Sequence, residues 1–162
     1  MKKAKRFFAV LIVILLASEG RAQQFSKADQ TLIANYPLSI EEVNQYMGFE
    51  KGFAAAKASE PKFQSMTPAR SLDDKINQLN NMPSFVNLAR KEGTNLRELT
   101  LTGASLHMLF LATDPKKQNI FKKYCDMGYV VSPSKDQLTF AEAHSPEMVQ
   151  WQKQITEYGM AN

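Results

Sequence analysis

Fifteen consecutive residues from Leu99 to Thr113, LTLTGASLHMLFLAT, carry no charged side chain, and they are bounded by Glu98 and Asp114. Asn95, with Glu98 three positions on, makes a capping pattern, and Gly93 just upstream suits the end of a preceding helix, so a helix is expected from about Leu96 to Ala112. At about 100° per residue, Leu96, Leu99, Gly103, Leu106, His107, Phe110 and Leu111 share one broad face. Leu101, Met108, Leu109 and Ala112 fall outside it. A helix apolar on more than one side belongs in the middle of a bundle, and this one is shorter than the roughly 20 apolar residues that span a bilayer. The expected fold is all-α, an irregular bundle of five to seven helices around this central one.

The chain has 162 residues, enough for one domain with a real core. Its first 22 read as a secretory signal peptide. Lys2, Lys3, Lys5 and Arg6 precede an apolar run from Phe7 to Ala17, and Gly20 and Ala22 have the spacing that a signal peptidase reads, with cleavage expected between Ala22 and Gln23. An uncleaved membrane anchor would need a longer run. No cysteine lies near the site for lipid attachment. Residues 23 to 36 read as an N-terminal arm and 37 to 162 as a single helical domain.

Export changes the meaning of the composition. Residues 1 to 22 hold five of the twenty basic side chains and one of the sixteen acidic ones, which leaves fifteen of each in the remainder. The apparent basicity therefore belongs to the leader, and no nucleic-acid partner is expected, because that needs a basic footprint on the folded protein. The single cysteine, Cys125, has no internal disulfide partner. It projects with Ile120, Phe121 and Tyr124 to one side of a short helix, which favours burial over an intermolecular bond.

Further helices are expected along the chain. Leu38, Ser39, Glu42 and Val43 supply a capping box and a hydrophobic staple for a helix from about Ile40 to Ala58, with Ile40, Val43, Met47, Ala54 and Ala58 in one stripe and Tyr46, Phe49 and Phe53 in a second. Glu50 lies between the stripes, and Gly48 and Gly52 suit close packing. Residues 59 to 70 read as a loop. Ser71 and Pro83 open two short helices that bury Leu72, Ile76 and Leu79, then Phe85, Leu88 and Ala89. Asp114 and Pro115 open the lysine-rich segment that Gly128 ends. Tyr129 to Val131 is too short for a sheet. Ser132 with Pro133, and Ser145 with Pro146, each read as an N-cap followed by proline at the first helical position. Met148, Trp151, Ile155 and Tyr158 make the apolar stripe of the last helix.

No phosphate-binding loop, HExxH, CxxCH, paired-cysteine or GxSxG motif is present. No cofactor or catalytic residue is assigned. His107 lies on the most apolar face and needs a hydrogen-bond partner, for which Glu50 is the candidate. As a pair in a pocket they could ligate a metal, orient a ligand or transfer a proton; otherwise His107 is a satisfied core residue. His144 with Glu147 is a second candidate, although Glu147 is already explained by the positive helix end. His107 and His144 are accordingly the candidate metal ligands. Lys116, Lys117, Lys122 and Lys123, interleaved with Ile120, Phe121 and Tyr124, form either a solvated face or a contact for an anionic surface.

The segments YPLSIEEVNQY, GTNLRELTLTGASLHMLFLA and LTFAEAHSPEMVQW, in that order, resemble small exported helical proteins of Gram-negative bacteria. This chain departs from their pattern at residues 93 to 95, with GTN where GLT is usual, and is longer around residues 115 to 128. The resemblance implies export to the periplasm or beyond and an all-helical fold. It carries no activity and no site residues. Taken together these features point to a non-catalytic envelope protein that binds an unknown protein or small molecule, with a His107–Glu50 ligand or metal site as the alternative.

Overall fold

The computed structural model describes residues 26 to 160. The leader over residues 1 to 22 and its cleavage site lie outside the described residues. Nine helices and no strand occur among the described residues: α1 (Lys27–Asn35), α2 (Ile40–Ala58), α3 (Pro61–Gln64), α4 (Leu72–Asn80), α5 (Pro83–Lys91), α6 (Leu96–Thr113), α7 (Gln118–Asp126), α8 (Lys135–Ala143) and α9 (Ser145–Met160). The class is all-α, as expected. Seven of the nine correspond to expected helices, and the two others are α1, inside the segment read as an arm, and the single turn α3, inside the segment read as a loop. No described helix is long and apolar enough to cross a membrane.

Helix α6 is the axis of the fold. It packs against α1, α2, α4, α5, α7 and α8, while α9 closes the other side of α2. Leu99, Leu106, Leu109 and Phe110 join a core with α2, α5 and α9, and Leu101, Met108 and Leu111 join a second with α1, α4 and α7. Two cores on opposite sides explain why this helix is apolar nearly all round. The larger core contains Phe49, Phe63 and Phe85 with Phe53 against them, their ring centroids 5.2 to 6.4 Å apart in five pairs. Such ring pairs contribute about 0.5–1.5 kcal/mol each beyond their buried area.

The caps are local and explicit. Asn95 Oδ1 accepts from the Glu98 N–H at 3.0 Å at the start of α6, and Ser39 and Glu42 make the full capping box at the start of α2. Gly93 takes φ 78°, with the Gly93 and Thr94 N–H groups donating to Arg90 and Ala89 carbonyls, which ends α5 and turns the chain into α6. On α2 the second stripe, Tyr46, Phe49 and Phe53, packs into the core as read. The first is less inward than expected, with Ile40 and Ala58 exposed.

Two caps differ from expectation. Helix α8 starts at Lys135 with Ser134 as its N-cap, not at Pro133 after Ser132. The Ser134 N–H is committed to the Ala34 carbonyl at 2.8 Å, which holds Ser134 extended and delays the helix by two residues. Helix α9 includes Ser145, so Pro146 is its second residue, and the His144 carbonyl accepts the first bond, from Met148 N–H at 2.8 Å. Cys125 is half-buried against the second core.

Long-range polar contacts fix the elements that sequence periodicity left loose. Gln137 Nε2 donates to the carbonyls of Ile33 (2.7 Å) and Tyr36 (2.9 Å), and Ser105 Oγ donates to Ile33 (2.9 Å), so α8 and α6 together close the end of α1. Glu60, buried just before α3, accepts from the Ser84 N–H at 2.7 Å and so caps α5 from outside its own segment.

Candidate functional site

Helix α2 places Tyr46 and Glu50 one turn apart on the same face, and α6 places Gly103 and His107 in the same i, i+4 relation. Where the two helices cross, the hydroxyl end of the Tyr46 ring lies close against α6 at Gly103. A Cβ on Gly103 would stand 2.5 Å from Tyr46 Cε2 and 2.9 Å from its hydroxyl oxygen. That close approach delivers the phenol one turn along α6, to His107, with Oη 3.5 Å from Nε2. Glu50 stands close enough to the same hydroxyl to raise the phenol's pKa.

His107 and Glu50 therefore meet through Tyr46. The Tyr46–His107 contact can run either way, the phenol donating to Nε2 of a neutral imidazole or an Nε2–H tautomer donating to the phenol oxygen. The electrostatics favour a neutral imidazole and work against the charged form of Glu50. Burial pushes the Glu50 carboxyl above its ordinary range, with the phenol hydrogen bond pulling weakly the other way. Burial also lowers His107 to about 4. Tyr46 is raised well above an ordinary phenol, first by burial and then by the Glu50 charge. Tyr46 is 1 % exposed, whereas Glu50 and His107 each keep part of their surface towards solvent. The imidazole also meets Phe110 edge-on, with centroids 5.9 Å apart.

Tyr46 is the member that sequence reasoning missed, since it was assigned only to a core stripe. Its signal was the pair of i, i+4 relations, Tyr46 with Glu50 and Gly103 with His107. Thr100, two turns before His107, bonds its own helix through the Leu96 carbonyl instead.

His144 lies at the α8–α9 junction, its ring 4.7 Å from the Phe140 ring and 6.5 Å from that of Trp151. Glu147 is exposed in the first turn of α9, where a carboxylate complements the helix end. No group of three His, Cys, Asp or Glu side chains able to hold a metal ion occurs among the described residues, so His107 and His144 are not gathered into such a set. The four lysines do not share a helix. Lys116 and Lys117 precede α7, and Lys117 pairs with Asp114 at 3.1 Å; Lys122 and Lys123 are exposed on α7 itself.

No protein family, characterised protein or solved structure matches this chain.

Proposed function

We propose that this chain is an exported helical protein of the cell envelope that acts by binding a partner, not by catalysis. Its leader-like start and the even balance of acidic and basic side chains after residue 22 support export and a neutral working surface. The observation that carries the non-catalytic part is the state of His107. General acid–base work favours a group that titrates near the working pH, and an imidazole lowered to about 4 beside a carboxyl raised by burial is poorly poised for it. The Glu50–Tyr46–His107 set reads best as a neutral hydrogen-bonded joint between α2 and α6.

The alternative is a small-ligand or metal site at the same place, favoured by the solvent-facing edges of Glu50 and His107 on either side of buried Tyr46. Native mass spectrometry of the protein purified from its own envelope fraction, with metal analysis of the same sample, separates the two. A bare protein supports the joint. A stoichiometric adduct or metal that disappears in His107→Ala, with helicity intact, replaces the joint by a binding site. Recovery of the folded protein in the cytosol would overturn the envelope assignment.

A further inference from the structure

We infer that the outer face of α7, with the turn that follows it, is a docking surface for an anionic lipid bilayer. The inference deepens the envelope reading by naming the partner, and rests on it for where that partner is met. Helix α7 packs on α6 with Phe121 buried and Cys125 half-buried in the second core. At 100° per residue, Ile120, Tyr124 and Met127 then fall together on a different face, with Lys123 beside them. Ile120 is 48 % exposed, Met127 53 % and Tyr129 48 %, three of the larger apolar exposures on the protein within ten residues of chain. The Tyr129 ring stands beside that of Tyr124, 6.0 Å between centroids, which extends the face past the end of the helix.

The charge along this part of the chain is mostly basic. Lys122 and Lys123 are exposed on the helix and Lys116 just ahead of it. Lys27 comes from α1, more than a hundred residues away in sequence, and places its amine on the Gly128 carbonyl. Asp126 is the one acid on α7, and Asp114 is occupied by Lys117. Protruding isoleucine, methionine and tyrosine side chains with Lys116, Lys123 and Lys27 around them have the composition of an interfacial anchor: the apolar groups enter the headgroup layer while lysine stems lie along it with their amines at the phosphates. Nucleic acid or an acidic protein would use the lysines but gain little from Ile120 and Met127.

The test is flotation of the full chain, as the cells deliver it, with phosphatidylcholine vesicles lacking or containing about one-third phosphatidylglycerol. Binding is expected to the anionic vesicles only, and to weaken as salt rises. The pair Lys116→Gln and Lys123→Gln is expected to lower partitioning about 30-fold. Ile120→Ser with Met127→Ser is expected to lower it tenfold or more. Exposed lysines elsewhere, Lys62→Gln with Lys91→Gln, are expected to leave it unchanged. Ile120, Lys123 and Met127 lie on or beside the face and Lys116 just ahead of it, whereas Lys62 and Lys91 are on other helices, and circular dichroism checks that each variant is folded. No flotation, or flotation insensitive to the α7 variants, overturns the inference. A dimer in sedimentation that Ile120→Ser with Met127→Ser dissolves, without flotation, assigns the face to a second copy instead. A periplasmic protein that does not float loses this surface and keeps the envelope reading; a cytosolic protein that floats through α7 does the reverse.

Discussion

Tyr46 lies against α6 only because residue 103 has no side chain: a Cβ there would stand 2.5 Å from one ring carbon and 2.7 Å from another. The ring is buried and cannot swing away as a flexible side chain would. Gly103→Ala is therefore expected to destabilise the fold by about 1–3 kcal/mol through overpacking, less up to about 1 kcal/mol of gained helix propensity. Urea denaturation measures it, and an unchanged midpoint would show that the crossing can relax.

Gly48 gives the contrasting case. A Cβ there would meet the Glu92 carboxylate, 2.1 Å from Oε2, but that contact is the far end of a flexible side chain. Gly48→Ala is expected to be neutral or to stabilise by up to about 1 kcal/mol, because α2 gains propensity while Glu92 turns aside. A loss as large as that at Gly103 would mean that Glu92 is held in place.

Acid stability should report His107. Its folded value of about 4 lies below the ordinary 6.5, so the unfolded chain takes up a proton that the native protein refuses. Stability from this residue is fully present above about pH 6.5 and is lost as pH falls towards about 4, by on the order of 3 kcal/mol. Glu50 acts with the opposite sign: its raised carboxyl favours the native state at low pH, and that contribution is lost as pH rises through the folded value. Denaturation midpoints across pH 4 to 7 are expected to fall less steeply towards acid in His107→Gln than in the native chain. Equal slopes would remove His107 as the cause.

Glu60 caps α5 from a distance, accepting from the Ser84 N–H at 2.7 Å while itself 7 % exposed. Glu60→Ala is expected to cost about 1–2 kcal/mol and Glu60→Gln, which keeps an acceptor, clearly less. Equal losses in the two variants would assign the effect to charge and not to capping.

Gln137 holds the end of α1. Its amide donates to two carbonyls there, and its own Oε1 is buried without a protein partner. Gln137→Ala should take its donor from the Tyr36 carbonyl, leave Ile33 to Ser105, and open a cavity, at about 2–4 kcal/mol. Hydrogen exchange in α1 should accelerate before that in α6, and uniform acceleration would show that α1 is not separately held by this contact.

What could be read in the sequence was whatever is written within one helical turn or one apolar period. The Asn95 and Ser39 caps, the Gly93 turn and the all-round apolarity of α6 have local causes and stand as expected. The missing pieces depend on residues far apart. Helix α1 shows a weak apolar pattern because only Ile33 and Ala34 are buried, and its end is satisfied by Gln137 and Ser105. Ser134 caps α8 because its N–H is taken by Ala34, a contact invisible to spacing. In the candidate site, His107 and Glu50 are legible as a pair, but Tyr46 beside them reads only as a core aromatic.

The bond from Gln137 to Ile33 also fixes an order of events during synthesis. A ribosome releases the chain from its N-terminus, yet the Ile33 carbonyl of α1 takes one of its donors from a side chain 104 positions downstream. Chains that emerge gradually tend to build their early segments first. Here the earliest described helix is secured in stages, and a chain halted between residues 105 and 137 has the Ser105 bond to Ile33 but neither bond from Gln137.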